Sequence, residues 1–395
     1  MKKIILCSNS FPGQNEEPFL RTEFPFLEKY AGQIYIHRNE TVLPINYEYI
    51  LLSKTQDLTP IRNIIALNWK LLIVSFLTEF LKSNQRFHYL INYKKYFNIW
   101  MGWLQEAKAW EEILKNFNPQ DTIIYTYWYE QQANALTVLR AQGKLPFKWI
   151  SRAHGWDVDK SQRPDNIIPF RHWMLKHKPD HLVSISNFGK HIFEKEYEAK
   201  VEVSRLGTLD LGMSKLNLDA NTLKIVSISA IIPLKRVELI VKVLSACKVN
   251  IAWTHFGDGP LMDSIPWEAL PSNIAIVKKG HLKHEELLTE LKETGFDLML
   301  HFSELEGIPV SIMECMSLGI PVMACDAGGV KEILNNNNGW LLPIDLNILE
   351  TARTIENIAE NKELIQEKKQ KALDTWEKEY NATVNFPQFI ETYLS

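Results

Sequence analysis

The chain has 395 residues, 46% of them hydrophobic and 23% charged. That length exceeds one ordinary core and fits two domains of roughly 150–200 residues each, and the composition is that of a globular protein. A formal net charge of −3 argues against a dedicated nucleic-acid binder.

The chain begins "MKKIILCSNSFPG", basic and then apolar. The apolar run is shorter than the roughly 7–15 residues of an export signal, so it reads as a strand over 3–8. Further strands are expected at 33–37, 122–128, 147–154, 181–186 and 201–207. A second set falls at 223–229, 249–257, 273–280, 296–302 and 320–325. Such apolar strands alternating with helical patterns predict parallel sheets covered on both faces. The polar stretch 208–222 separates the sets. The fold class is therefore α/β, with two doubly wound Rossmann-like domains, over 1–210 and 220–375, facing each other across a cleft. Ligands of such sheets bind at the carboxyl ends of the strands.

The segment 60–118 is helical, aromatic and basic, with Arg86, Lys94, Lys95 and Lys108 among Phe87, Tyr89, Tyr93, Tyr96, Phe97, Trp100 and Trp103. It reads either as helices packed on the first sheet or as a surface that touches a membrane interface. The most hydrophobic stretch, 64–81, is interrupted by Asn68, Lys70, Thr78 and Glu79. A spanning helix needs about 20 nearly uncharged residues, so no span is expected there. Cys7, Cys247, Cys315 and Cys325 lack metal or CxxC spacing and read as reduced core residues. Asn335–Asn338 with Gly339 reads as a turn. Asn381-Ala382-Thr383 matches a glycosylation sequon, which carries no weight without an export signal.

Two carboxylates stand out in "SELEGIPVSIMECMSLG" (303–319), because apolar runs exclude unpaired charge. Ser303 and Glu306 fit a capping box, but that would put Gly307 and Pro309 in the first two turns of the helix. Pro309 fits better as the first helical residue, with the helix over 309–318 ending at Gly319 and Pro321 beyond. Glu306 then lies in a loop ahead of the helix. Glu314 lies on a polar stripe with Ser311 and Ser317, either solvated or aimed into a cleft. The two carboxylates are then on the order of 8–12 Å apart, too far for a shared-proton dyad. The amides of Gly307–Val310 favour an anion such as phosphate. Two separate clamps around one anion site describe a nucleotide-sugar.

These residues resemble the retaining glycosyltransferases of the family 4 type, with the GT-B fold, in their bacterial polysaccharide-biosynthesis branch. The match is the Glu-x7-Glu composite over 303–334 followed by "NGWLLP" (338–343). Further matches are "FPGQNEEPFLRTE" (11–23), "SRAHGWDVD" (151–159), "SISNFGK" (184–190), "RLGT" (205–208), "LKR" (234–236), "HFGDGPL" (255–261) and "GHLKHEELL" (280–288). The resemblance implies that Glu306 bonds the donor sugar hydroxyls and Glu314 the ribose. Gly307, Ile308, Pro309 and Val310 would bind sugar or pyrophosphate. Lys235, with Arg236, would neutralise the leaving diphosphate, and His154 would approach the sugar from the first domain. Gly257, Asp258, Gly259 and His281 would line the nucleotide half, and Gly13 and Gln14 the phosphate and acceptor side. It also implies no metal or cofactor, a UDP- or GDP-linked donor, a glycan or lipid-linked acceptor, and a cytoplasmic enzyme peripheral to the membrane. Residues 376–395 are expected as a C-terminal helix crossing back to the first domain.

On the residues alone, His154 also reads as a structural strand-end histidine, Lys235-Arg236 as a solvated pair, and Gly257–Gly259 as a turn. Asp157 reads as a cap for the turn after His154. Trp128, Tyr129 and Glu130 fit either acceptor contact or strand-end packing. One departure stands out: the family places an arginine five residues before the lysine, where this chain has Ala230. A GT-B epimerase and a non-catalytic GT-B partner subunit are the rival readings. A dehydrogenase is disfavoured, because the first strand is followed by "SNSFPGQNEEP" rather than GxGxxG.

Overall fold

A computed structural model describes residues 2–12, 17–38, 50–51, 61–163, 165–219 and 221–395. The chain forms two compact units, one of Met1–Ser204 with Pro387–Ser395, the other of Arg205–Phe386.

The first unit runs β1 (Lys3–Ser8), α1 (Pro18–Tyr30), β2 (Gln33–Arg38), β3 (Ile50–Leu51), α2 (Ile61–Lys82), α3 (Arg86–Ile91), α4 (Tyr93–Leu114), β4 (Thr122–Thr126), α5 (Gln132–Ala141), β5 (Lys148–Ala153), α6 (Gly155–Val158), α7 (Arg171–Lys176), β6 (His181–Ser184), α8 (Asn187–Tyr197) and β7 (Glu202–Val203). Among the described residues these strands make one parallel seven-stranded sheet in the order β3-β2-β1-β4-β5-β6-β7.

Strand period 2 feeds two cores. Ile4 and Leu6 of β1 pack with Leu20, Phe24 and Leu27 of α1, while Ile5 and Cys7 point to the opposite layer under α4 and α5. The layer beneath α4 is set by Tyr96, Trp100, Trp103, Leu104, Ala107, Trp110 and Leu114, a helical stripe that is buried along its length. The chain end is tied into this unit. Tyr30 donates its hydroxyl proton to the Leu394 carbonyl at 2.5 Å, and the buried Arg152 guanidinium lies 3.7 Å from the Phe389 ring centroid. Arg152 also bonds Tyr125 and pairs with Glu23, both fully buried.

The second unit runs β8 (Leu223–Ile228), α9 (Val237–Ser245), β9 (Ile251–Phe256), β10 (Ile274–Gly280), α10 (His284–Thr294), β11 (Leu298–His301), α11 (Val310–Ser317), β12 (Val322–Cys325), β13 (Gly339–Leu342), α12 (Ile348–Glu360) and α13 (Lys362–Glu379), followed by α14 (Ala382–Phe389). Among the described residues its sheet is parallel, in the order β10-β9-β8-β11-β12-β13. Ile225, Leu298, Leu300 and Met323 pack one face of it against α9 and α12.

Several expectations need correction. The unit boundaries fall at Ser204/Arg205 and Phe386/Pro387 rather than near 210–220 and 375. The reason is a set of backbone bonds: Thr208 N–H to the Tyr380 carbonyl, Ala382 N–H to the Thr208 carbonyl, Ser214 N–H to the Leu318 carbonyl and Lys215 N–H to the Lys292 carbonyl. The polar stretch is therefore stitched to the second unit instead of hanging as a linker. The turn expected at Asn335–Asn338 with Gly339 is present, closed by Gly339 N–H to the Asn335 carbonyl, and leads straight into β13, where Gly339 pairs with Val322. The edge strand β3 has no sequence signal beyond two apolar residues. Helix α11 begins at Val310, with Pro309 as its N-cap, one residue later than expected.

Each sheet has one point where the strand order reverses, between β1 and β4 in the first unit and between β8 and β11 in the second. Loops diverge there and leave a crevice at the carboxyl ends.

Candidate functional site

In the second unit, chemistry gathers at the β8/β11 switch point. After β8 the chain makes a single 3-10 turn, Pro233–Lys235, and after β11 it enters the loop 302–309. Glu304 N–H donates to the Leu234 carbonyl at 2.9 Å, which holds the two loops side by side. Lys235 Nζ then donates to Glu306 Oε1. The same oxygen is 3.0 Å from His301 Nε2, whose ring also meets Ser303 Oγ at 3.0 Å. Burial alone would raise the Glu306 carboxyl, but His301 and Lys235 hold it down at about 2. The site thus keeps an ionised carboxylate, poised by two cationic or hydrogen-bonding side chains, directly ahead of a helix.

The loop carrying Glu306 is clamped from behind. Gly329 N–H donates to the Glu306 carbonyl at 3.0 Å. A Cβ at Gly329 would sit 1.8 Å from the Gly307 carbonyl oxygen, so only glycine allows this approach. Gly307, Ile308, Pro309 and Val310 form the approach to α11. The amides of Val310 and Ser311, in its first turn, find no partner among the described residues, as helix starts leave them.

Glu314 lies within α11, buried, with Oε1 2.5 Å from His284 Nε2 at the start of α10. Ser317 is fully buried and donates to the Glu314 carbonyl. The expected polar stripe is therefore replaced by one inward carboxylate held by a histidine.

Arg236 is placed differently from the sequence expectation. It has a left-handed backbone (φ 48°), and its guanidinium donates to the carbonyls of Phe302 (2.7 Å), Ile344 (3.0 Å) and Ser303 (3.4 Å) and to Cys325 Sγ. Four of its five N–H groups are thus engaged in bracing strand ends, and those bonds hold the guanidinium there. Gly257, Asp258 and Gly259 form a turn: the Asp258 carbonyl accepts from Ile231 N–H, and Asp258 Oδ1 accepts from Gly259 N–H. A Cβ at Gly257 would lie 1.9 Å from the Ser229 carbonyl oxygen, so this turn holds the β8 loop in place. His281 is exposed. The neighbouring histidine that touches a site carboxylate is His284.

In the first unit the β1/β4 switch point is built around a carboxylate as well. Glu17 accepts backbone N–H groups from Asn9 (2.7 Å) and Phe11 (2.8 Å), more weakly from Ser10, and takes the Ser10 hydroxyl and Trp128 Nε1 (3.2 Å). His154 ends β5, 4% exposed, with its ring packed against Tyr127 and Trp128 at 4.7 and 4.4 Å. Neither ring nitrogen has a hydrogen-bond partner among the described residues. Burial, with Arg152 close by, pushes its pKa down to about 3, so it is neutral. Asp157 accepts from His154 N–H (2.5 Å) and Tyr129 N–H (2.6 Å) and so caps the turn. Burial and Glu130 push its carboxyl up to about 7. Glu130 pairs with Arg163, which lies over Trp156. Gly13 and Gln14 lie outside the described residues.

Sequence reasoning missed His301, His284, Glu17 and Gly329. His301 had the same signal as His154, a histidine at the carboxyl end of an apolar strand. Gly329 was inside the quoted motif without a role. The partners of His284 and Glu17 are 30 and 111 residues away or lie in backbone amides, which no local pattern reveals.

Among the described residues no cluster of His, Cys, Asp and Glu is arranged to hold a metal ion. No described helix is long and apolar enough to cross a membrane.

Comparison with known proteins adds the following. Residues 212–375 match the family "Glycosyl transferases group 1". The chain is 26% identical over 237 residues to the amylovoran biosynthesis glycosyltransferase AmsK of Erwinia amylovora, covering 53% of this chain and 54% of that one. It is 24% identical over 225 residues to the putative colanic acid biosynthesis glycosyltransferase WcaL of Escherichia coli, covering 52% and 54%. The chain spans about half the length of these curated relatives. Among solved structures it resembles a sucrose-phosphate synthase of Thermosynechococcus elongatus (TM-score 0.70, 14% identity, 100% and 98% covered). It also resembles HepE of Anabaena in complex with UDP and glucose (TM-score 0.67, 14% identity, 99% of each chain). These likenesses over the whole chain show the two-domain α/β fold of the GT-B class, and the match to the Glycosyl transferases group 1 model lies within the second unit.

Proposed function

We propose that this protein is a retaining glycosyltransferase of the family 4 type. It moves a sugar from a UDP- or GDP-linked donor to a glycan or lipid-linked glycan in surface-polysaccharide biosynthesis, without a metal ion. The observation that carries the reading is Glu306, held ionised by Lys235 and His301 ahead of the free amides of α11.

A leaving diphosphate needs positive charge where its oxygens develop negative charge. Here Lys235 and the tip of α11 supply it, the helix through its orphan amides and dipole. Glu306, ionised and fixed, accepts hydrogen bonds from donor sugar hydroxyls. Glu314, steadied by His284, accepts from the ribose. Neither carboxylate is placed to relay a proton to the other. Within the first unit His154, neutral and with neither ring nitrogen partnered among the described residues, is able to offer a donor and an acceptor without adding charge. The named relatives are a glycosyltransferase of amylovoran biosynthesis and a putative one of colanic acid biosynthesis, and the HepE structure holds UDP and glucose. Both support the donor and acceptor classes proposed here; a working place at the cytoplasmic face of the membrane is part of the same proposal.

The test is a thermal-shift panel of UDP- and GDP-sugars, since ligands of the native state raise the melting temperature by mass action. Transfer to glycan acceptors follows, with the anomeric configuration of the product read by NMR. An inverted product would overturn the retaining assignment. A non-catalytic partner subunit is the second reading, favoured by Ala230 and by the engagement of Arg236 with backbone carbonyls. Calorimetry showing that folded protein binds neither UDP nor GDP would select it.

A further inference from the structure

Helix α2 is apolar around most of its circumference. Helices of that kind are ordinarily buried on all sides. Among its described side chains one side is covered: Leu72 and Phe76 pack on the first unit's core. The opposite side presents Trp69, Ile73, Leu77 and Leu81, spaced four residues apart, with Val74 beside them, all exposed. The surface continues through α3 and the start of α4 with Phe87, Leu90, Ile91 and Tyr93, and reaches 71% exposure at Leu81 and 80% at Ile91. Scattered apolar residues need no explanation, but a continuous face of this size does.

Its charge is one-sided. Residues 68–105 carry five cations, Lys70, Lys82, Arg86, Lys94 and Lys95, and one acid, Glu79. Lys82 pairs with Glu198 and Lys95 with Asp165, which leaves Lys70, Arg86 and Lys94 as the cations beside the face. Glu79 is turned inward, where it accepts from Trp173 N–H and meets His172. Lys70 lies 5.7 Å from the Trp69 ring and Arg86 5.5 Å from the Phe87 ring, both exposed at the margin of the apolar face. Lys94 is exposed as well. An apolar face edged by cations and aromatic rings matches the boundary between acyl chains and anionic headgroups. A second copy of the same face would bring like charges together.

We infer that the exposed face of α2, α3 and the first turn of α4 docks the protein on a bilayer surface that carries anionic lipids, with the helices lying in the interface. The inference deepens the peripheral-membrane part of the proposed function. It is tested without donor or acceptor, so loss of membrane binding and loss of transfer are separate results.

The experiment is co-sedimentation of the full chain with vesicles of phosphatidylcholine alone and of phosphatidylcholine mixed with phosphatidylglycerol. The expected result is binding to the mixed vesicles, weakened by added salt. Leu81→Asp with Ile91→Asp should lower the partition coefficient by about a hundredfold, roughly tenfold for each apolar residue removed. Lys70→Glu with Lys94→Glu should lower it by about tenfold or more while leaving the apolar face intact. Thermal unfolding monitors folding, and if the aspartate pair unfolds the protein the lysine pair carries the test. No binding to mixed vesicles, or equal binding to both kinds, overturns the inference. So does a concentration-dependent dimer that the aspartate pair abolishes, which would assign the face to a second copy.

Discussion

At the strand-order reversal of the first unit, Glu17 turns its carboxylate onto the amides of Asn9, Ser10 and Phe11 and onto Trp128. At the equivalent reversal of the second unit, Glu306 takes its bonds from Lys235 and His301 and leaves the helix amides beside it untouched. The same residue type at the same topological place thus has opposite consequences. A carboxylate that fills a nest of N–H groups removes an anion site, since the amides are already satisfied. A carboxylate held by side chains, Lys235 foremost, preserves one. By this comparison the first unit offers neutral chemistry, His154 between two aromatic rings, and the second offers charge.

The comparison can be broken first at Glu306. Glu306→Gln keeps the shape but loses the charge, and transfer should fall about 10²–10³-fold. Lys235→Ala should cost about 10²-fold in kcat while the protein stays folded. Steady-state kinetics with melting curves check both. Activity within a few-fold of wild type in either variant would remove the second unit's claim to the charged chemistry.

The neutral side can be tested through pH. The folded-state pKa of His154 is about 3, below the ordinary histidine value near 6.5. The unfolded chain therefore takes up a proton that the folded protein refuses. The stability contribution is intact above about pH 6.5 and is lost as pH falls toward 3. Asp157, pushed up to about 7, acts in the opposite sense, with stability lost as pH rises through that value. Comparing wild type with His154→Phe cancels the Asp157 contribution. The advantage of wild type over the variant should shrink by roughly 3 kcal/mol between pH 7 and pH 4. A constant difference, measured by urea unfolding, would mean that His154 is solvated or paired.

Glu17→Ala should destabilise by about 2–3 kcal/mol, because it strands several amides at once, and should change the fluorescence of Trp128. Arg236→Ala is expected to lower stability by about 2 kcal/mol, unlike Lys235→Ala, since it frees the carbonyls of Phe302 and Ile344. If the two variants instead share one kinetic defect and no loss of stability, Arg236 belongs with the diphosphate site. The smallest effect is expected from His284→Ala, a rise of about fivefold in donor KM with kcat held, because it loosens Glu314 without touching the reacting end.

The sequence by itself determined the two sheets, their parallel sense, the loop-then-helix placement of Glu306 and Glu314, and the motif order that resembles family 4 glycosyltransferases. All of these depend on local periodicity, on the backbone limits of Pro309 and Gly319, or on residues close together in the chain. Only the tertiary structure decided which side chains meet. Lys235 and Glu306 are 71 residues apart, His284 and Glu314 are 30 apart, and Arg236 was drawn to carbonyls that lie after the ends of two strands, β11 and β13. A hydrogen-bond donor goes to the acceptor that folding brings near, and backbone carbonyls and amides are invisible to a side-chain pattern. For the same reason a run of apolar residues in α2 could not say which of its faces the core would cover and which it would leave exposed.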